Sequence, residues 1–314
     1  MQPAMRASIL SRPMRITVCV PAYRRPAELE RCLEALRGQT LPAHEVLVTL
    51  RPDDDATSRV VHGMSRTWAA LHVVTVQRPG VVAAMNAALA MAGGDVFALT
   101  DDDAEPEADW LARSVSVLAG DATVAGVGGR DVQAGMSALR VDVGRVQWMG
   151  RVIGNHHVGS GAARDVDVLK GVCVAFRTAA IEPIGFDERL RGTGAQVHWE
   201  LSLCLALRRV GWRLVYDPSI RVAHHVAPRH GADQLHRGRF DTRPHEDAVY
   251  NETIVLMDHL HGSRRAAFRA WVVLVGTAEA PGLLQLPRVM LREGRAGWTR
   301  FISAQRARRA GMRS

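Results

Sequence analysis

Lysine is almost absent from this chain: of its 40 basic Lys and Arg residues, Lys170 alone is not arginine. Cysteine is sparse too, with Cys19, Cys32, Cys173 and Cys204 forming no C-x-x-C pair and each lying in an apolar run. Such thiols read as small buried hydrophobes in a reducing compartment, which excludes a disulfide scaffold or a cysteine-rich zinc site. No run reaches 18 consecutive apolar residues, and Trp271 to Val275 is far too short to cross a bilayer. The opening MQPAMRASILSRPMR has no apolar core of the kind a signal peptide carries, so a cytoplasmic protein is expected. Internal repeats and low-complexity linkers are missing as well.

What remains is a globular composition. The 314 residues are 47% hydrophobic and 23% charged, which excludes a disordered or collagen-like chain and suffices for a sizeable core. The net charge of +8 is unevenly spread. From Arg264 onward eleven arginines meet only Glu279 and Glu293, a balance of +9, so the first 263 residues sum to −1. A nearly neutral body therefore carries a basic tail.

The first hundred residues alternate strand and helix signals. Ile16–Val20, Val46–Leu50, Leu71–Val76 and Asp95–Thr100 read as strands. Between them, Leu29, Cys32, Leu33 and Leu36 recur at helical spacing before Gly38, and Val82, Met85 and Leu89 do so before Gly93-Gly94. Strands joined by helices of this length predict right-handed crossovers and a mostly parallel α/β sheet. Its ligands are expected beyond the carboxyl ends of the strands, where the loops after Val20, Leu50, Val76 and Thr100 share one face. Further on, Val124–Val127 predicts a strand ending at Gly128-Gly129-Arg130, Leu169–Arg177 another, Val197–Val210 a helix, and Trp212–Tyr216 a strand closed by Asp217-Pro218. From about Glu246 the pattern is helical.

The sharpest chemical feature is Asp101-Asp102-Asp103, three carboxylates directly after a buried strand. Adjacent like charges repel, and a divalent cation with its phosphate ligands offsets that repulsion. Mg²⁺ and Mn²⁺ prefer oxygen ligands and use one or two carboxylates beside substrate phosphates. The competing reading is an acidic turn capping a helix whose first turn holds Glu105, Pro106 and Glu107. Upstream, Val20-Pro21-Ala22-Tyr23-Arg24-Arg25 offers an aromatic face for a base and guanidinium groups for phosphate.

Taken in order, VCVPAYRRPAELERCLEAL, PGVVAAMNAALAMAGGDVFALTDDDAEPEADWL, GVCVAFRTAAIEPIGFDERL and WELSLCLALRRVGWRLVYDPSIRVAHH resemble family 2 of the glycosyltransferases, nucleotide-sugar enzymes of the GT-A fold. The resemblance runs from about Arg15 to His225. It implies that Asp101 and Asp103 bind the donor diphosphate through Mn²⁺ or Mg²⁺, with Asp102 near the donor ribose or the metal. It places Pro21, Tyr23 and Arg24 against the nucleotide, and Gly80 and Asn86 on the donor side. After the second strand the family pattern D-D-G-S-x-D is replaced by Leu50-Arg51-Pro52-Asp53-Asp54-Asp55, whose acids come late. Asp53 or Asp54 either binds the base or caps the following helix, and the sequence leaves both open. Alignment of Leu203–Arg209 with the family's acceptor helix puts Glu200 at the position of the catalytic base, with Trp199 and Ser202 in place of the flanking acids. His224, six residues after Pro218, matches a histidine that completes the metal shell, with His225 a weaker match. His156 and His157 take no family role and lie in a Gly-rich segment able to fold over the donor.

The expected architecture is α/β: a GT-A-like, mostly parallel sheet flanked by helices, with a C-terminal helical extension. An arm (1–14) precedes a catalytic domain (15–230), whose donor half is about 15–130 and acceptor half about 131–230, and a basic helical extension (231–314) follows. The expected activity is metal-dependent, inverting transfer of a sugar from a nucleoside-diphosphate sugar to a hydroxyl of a saccharide or lipid-linked saccharide, in surface polysaccharide synthesis. A non-catalytic nucleotide-sugar or carbohydrate-binding protein and a sugar nucleotidyltransferase are the alternatives. The tail mixes arginines with Phe268, Trp271, Leu283, Leu284, Trp298 and Phe301. That mixture suits either an anionic inner membrane surface, making the protein peripheral there, or ordinary packed helices with a solvated basic face. No nucleic-acid-reading motif accompanies the charge.

Overall fold

The computed structural model describes residues 13–136, 138–227 and 240–314. Most of the expected N-terminal arm and the start of the expected extension lie outside the described residues. The first half is built as read: β1 (Ile16–Pro21), α1 (Pro26–Arg37), β2 (Glu45–Leu50), α2 (Asp55–Ser65), β3 (Leu71–Thr75), α3 (Val81–Met91) and β4 (Val96–Leu99). Pairing is parallel along β3-β2-β1-β4. Alternate strand residues feed opposite layers, which is why these strands are apolar on both faces. Cys19, Leu47, Phe97 and Leu99 enter one core, whereas Val18, Val20, Val46, Val48 and Ala98 enter the other, against α1 and α2.

The second half departs from the reading at several points. Ala104–Pro106 is not the first turn of a helix but a short strand, β5, and helix α4 begins at Trp110 (Trp110–Gly120). Next, β6 spans Val124–Val132, running through the glycines expected to end it. Those glycines are needed within the strand: a Cβ on Gly128 would meet the Cys173 carbonyl oxygen at 3.0 Å, and one on Gly129 the Ile220 carbonyl oxygen at 2.0 Å. Three short strands follow, β7 (Arg145–Val146), β8 (Val152–Ile153) and β9 (Arg164–Asp165). The strand expected over Leu169–Arg177 is shorter, β10 (Val174–Arg177), because Gly171–Cys173 forms a 3₁₀ turn before it. After α5 (Thr178–Ile181) and α6 (Trp199–Arg209), β11 extends from Arg213 to His224. It does not stop at Asp217-Pro218 because a register shift between Tyr216 and Arg221 accommodates the proline against β6.

The sheet order is β3-β2-β1-β4-β10-β6-β11-β5, with β9 on β11. β6 and β11 are parallel, while β10 runs antiparallel between β4 and β6, and β5 antiparallel to β11. This is an α/β fold with a large, mostly parallel central sheet flanked by helices.

The C-terminal helices are α7 (Thr242–His259), α8 (Gly262–Leu274), α9 (Leu286–Glu293) and α10 (Arg295–Gly311). Val249, Ile254 and Leu256 of α7, Phe268 of α8 and Ala304 of α10 belong to the same apolar core as Phe97 and Trp199. One tail arginine is not on a solvated face: Arg308 is 1% exposed and donates to the carbonyls of Val272 and Ala280. Leu284, Leu291 and Trp298 stay exposed.

Candidate active site

A cleft of about 680 Å³ opens beyond the carboxyl ends of β1–β4, where the first-half loops converge. Pro21, Tyr23, Gly80, Asp101 and Asp102 line it from the first half. Lys170, Trp199 and Glu200 line it from the second, and Glu252 of α7 closes one side. Backbone strain gathers at its border: Arg24, Gln196 and His198 all have positive φ.

The acidic cluster is ordered by tertiary pairing. β5 aligns Ala104 with His224 on β11, which sets the imidazole beside Asp103. One ligand atom each of Asp101, Asp103 and His224 lies within 4.8 Å of the others. The imidazole Nε2 stands 3.3 Å from Asp103 Oδ1 and 3.9 Å from Asp101 Oδ2. It is buried yet has no well-formed hydrogen bond, which marks an orphaned ligand atom aimed into the cluster. Asp103 turns its other oxygen to Arg25 at 2.7 Å and to the Ala227 N–H at 2.9 Å. Oxygen donors with one imidazole suit Mn²⁺ or Mg²⁺, so the residues present fit a divalent cation.

Charge in this cluster is strongly coupled. Complete burial pushes the Asp102 carboxyl up to about 8, and the Arg25 guanidinium 2.6 Å away opposes that rise. Burial acts the same way on Asp103, but contact with His224 and Arg25 outweighs it and holds this carboxyl well below the usual range. For His224, burial lowers the imidazole, whereas Asp103, Asp131 and Asp101 together raise it to about 10.

Glu200 occupies the first turn of α6 in the opposite wall. Its Oε1 accepts from the Gly171 N–H at 3.4 Å and lies 3.9 Å from the Lys170 ammonium. The segment before it, residues 192–198, forms the rim. Gln196 reaches back from there, accepting from the Val82 N–H at 3.0 Å and donating to the Leu190 carbonyl at 2.8 Å, so it caps α3.

Other expected site residues sit differently. Arg24 lays its guanidinium over the Tyr23 ring and pairs with Asp53 at 3.0 Å. Asp53 also accepts from the Tyr23 hydroxyl at 3.3 Å and stays exposed. Asp54 is buried, caps α2 through the Thr57 N–H and accepts from the Arg24 N–H, so of the two open readings the structure displays the cap. Asn86, expected toward the donor, instead grips Phe186 through both its N–H and its carbonyl. His156 is buried in the cleft wall, with Nε2 2.9 Å from the Val168 carbonyl oxygen and its ring edge-on to Tyr216. His225 turns to Glu105 at 2.9 Å, away from the cluster.

Three residues were invisible to sequence reasoning. Asp131, at the end of β6, meets His224 Nδ1 at 3.0 Å and so fixes which ring nitrogen faces the cluster. Nothing in a lone strand aspartate 93 residues away signals that pairing. Glu252 comes from the C-terminal helices, and Lys170 stood out only by its rarity.

The fold, a large, mostly parallel central sheet flanked by helices, is that of the GT-A glycosyltransferases. Residues 17–170 match the family model described as "Glycosyl transferase family 2". The glycosyltransferase AglE of Haloferax volcanii is 27% identical over 192 residues, which is 59% of this chain and 59% of that protein. Among solved structures, the mannosyltransferase PcManGT from Pyrobaculum calidifontis, in complex with GDP-Man and Mn²⁺, superposes with a TM-score of 0.58. It is 21% identical, and the match covers 98% of this chain and 91% of that one. Residues 1–349 of TarS from S. aureus, in complex with UDP-GlcNAc, give a TM-score of 0.59 at 15% identity, with 96% and 91% covered. At these identities the likeness shows the fold.

Proposed function

We propose that this protein is an inverting, metal-dependent glycosyltransferase that moves a sugar from a nucleoside-diphosphate sugar to the hydroxyl of a saccharide or lipid-linked saccharide. The observation that carries this reading is the cluster of Asp101, Asp103 and His224, whose Asp101 lines the same cleft as Glu200. GDP-Man and UDP-GlcNAc in structures of the same fold support the donor class, and Mn²⁺ in one of them supports the cation.

In this reading Tyr23 stacks on the nucleotide base, and Pro21 and Gly80 shape the donor floor. Asp101, Asp103 and His224 would hold a divalent cation, which would supply Lewis acidity toward the diphosphate. Glu200 takes the proton from the acceptor hydroxyl as its oxygen attacks the anomeric carbon. A single displacement by the acceptor oxygen, as the family resemblance implies, inverts the anomeric centre. Trp199 gives the acceptor an apolar surface beside the base.

Acceptor chemistry connects to the tail. No helix among the described residues is long and apolar enough to cross a membrane. Exposed Leu284, Leu291 and Trp298 beside Arg288, Arg292 and Arg295 fit peripheral binding to an anionic inner membrane surface, where a lipid-linked acceptor for surface polysaccharide resides.

Calorimetry with UDP, GDP and dTDP, with and without Mn²⁺, tests the donor site. Metal-dependent binding of one diphosphate, lost in an Asp101→Ala/Asp103→Ala variant, is the expected result. Glu200→Gln should keep that binding and lose transfer by about 10²–10⁴-fold. Binding in the native chain without any transfer would favour a non-catalytic nucleotide-sugar protein instead.

A further inference from the structure

The chain uses arginine for every basic Lys or Arg position but one, and that one lines the cleft. Lys170 immediately precedes the 3₁₀ turn Gly171–Cys173, and its ammonium is 3.9 Å from Glu200 Oε1. The Gly171 N–H donates to the same oxygen at 3.4 Å. Gly171 is itself confined, because a Cβ there would lie 2.2 Å from the Trp199 ring. The turn is thus held against the first turn of α6, where the Gly171 N–H donates to the carboxylate oxygen and the Lys170 ammonium stands within ion-pair range of it. Lys170 remains about half exposed, with its side chain at 46%, while Glu200 is at 18%.

Arginine and lysine differ here in kind. A guanidinium is a planar fork that engages a carboxylate through both oxygens, whereas an ammonium is a compact charge that holds one. We propose that Lys170, with the Gly171 N–H, is the positioning residue of the catalytic base: the pair anchors Glu200 Oε1 and leaves Oε2 turned to the acceptor hydroxyl. An arginine at this position would occupy both oxygens and block the base, which gives a physical reason for a lone lysine in a chain that otherwise uses arginine. The inference rests on the reading of Glu200 as base.

The composition makes the test selective. Lys170 is the only ε-amino group, so acetic anhydride labelling followed by peptide mass spectrometry reports its reactivity apart from the α-amino group. Loss of the contact in Glu200→Gln should change the acetylation rate of Lys170. Equal rates in the two proteins would refute the contact.

For function, Lys170→Gln should lower kcat about ten- to hundredfold with donor KM unchanged, as expected for a misplaced base. Lys170→Arg should not restore it. Lys170→Cys alkylated with 2-bromoethylamine should, since the four native cysteines are buried and only the introduced thiol reacts. A Lys170→Gln enzyme with full kcat, or full activity in Lys170→Arg, overturns the proposal. If Glu200→Gln retains transfer, the base assignment falls and the positioning role with it. If Glu200→Gln abolishes transfer and Lys170→Gln does not, the positioning role alone falls.

Discussion

Replacing Gly80 by alanine tests how the rim of the cleft is held. Gly80 precedes α3 with φ +110° and ψ +147°, a region open essentially to glycine alone. An alanine there carries a backbone cost of about 1–3 kcal/mol. Its Cβ would also stand 2.2 Å from Gln196 Oε1. Gln196 is 5% exposed and bound at both ends, so moving it strands the buried Val82 N–H and the Leu190 carbonyl. Leaving one such group unsatisfied costs about 1–3 kcal/mol. Together these give a destabilisation of about 2–6 kcal/mol, or a fall in Tm of about 3–9 °C from the usual unfolding entropy per residue. Thermal unfolding of Gly80→Ala, Gln196→Ala and the double variant measures it. The double variant should lose less than the sum of the singles, since both lose the same hydrogen bonds. Residues 193–195 and 197–198 line the cleft, so Gly80→Ala should also weaken nucleoside-diphosphate binding in calorimetry. A Tm within about 1 °C of the native protein, or strictly additive losses, would refute the account of the rim.

Asp131→Asn should weaken Mn²⁺ binding about 10–100-fold, read from the free-ion EPR signal, because the ring of His224 loses its carboxylate orienter. An unchanged affinity would mean that Asp131 does not orient the ligand. Burial holds His156 neutral by lowering it to about 4, the Val168 carbonyl opposing. The unfolded chain takes up that proton below about 6.5, so stability should fall as pH drops from there toward 4, by about 3 kcal/mol. Comparing Tm at pH 7.5 and pH 5 should show a smaller drop in His156→Gln, and equal drops would exclude His156 as the source. Sedimentation with phosphatidylglycerol vesicles should fall with added salt and in Leu284→Glu/Leu291→Glu, while binding indifferent to both would leave the tail as ordinary packed helices.

The division between what was legible and what was not follows the range of the interactions. Hydrophobic period and turn residues act within a few positions. They sufficed for the parallel β1–β4 half, for the loops on one face and for Asp101-Asp102-Asp103 beyond β4. They failed where pairing across the sheet overrode local preference. Gly128-Gly129 reads as a stop, yet lies inside β6 because Ile220 and Cys173 occupy the space that side chains would need. Asp217-Pro218 reads as a strand end, yet β11 passes through it by shifting register on β6. That continuation, with β5 pairing beside it, carries His224 to Asp103 and Asp131. The sequence by itself determined an α/β chain with an acidic run beyond β4, a candidate base at Glu200 and a basic C-terminal segment, because each is written in contiguous residues. Only the tertiary structure decided that Asp54 caps a helix, that Asn86 braces Phe186, that Arg308 is buried and that the one lysine faces Glu200. Each of these depends on which distant segment fills the space beside a side chain, and no local pattern encodes that.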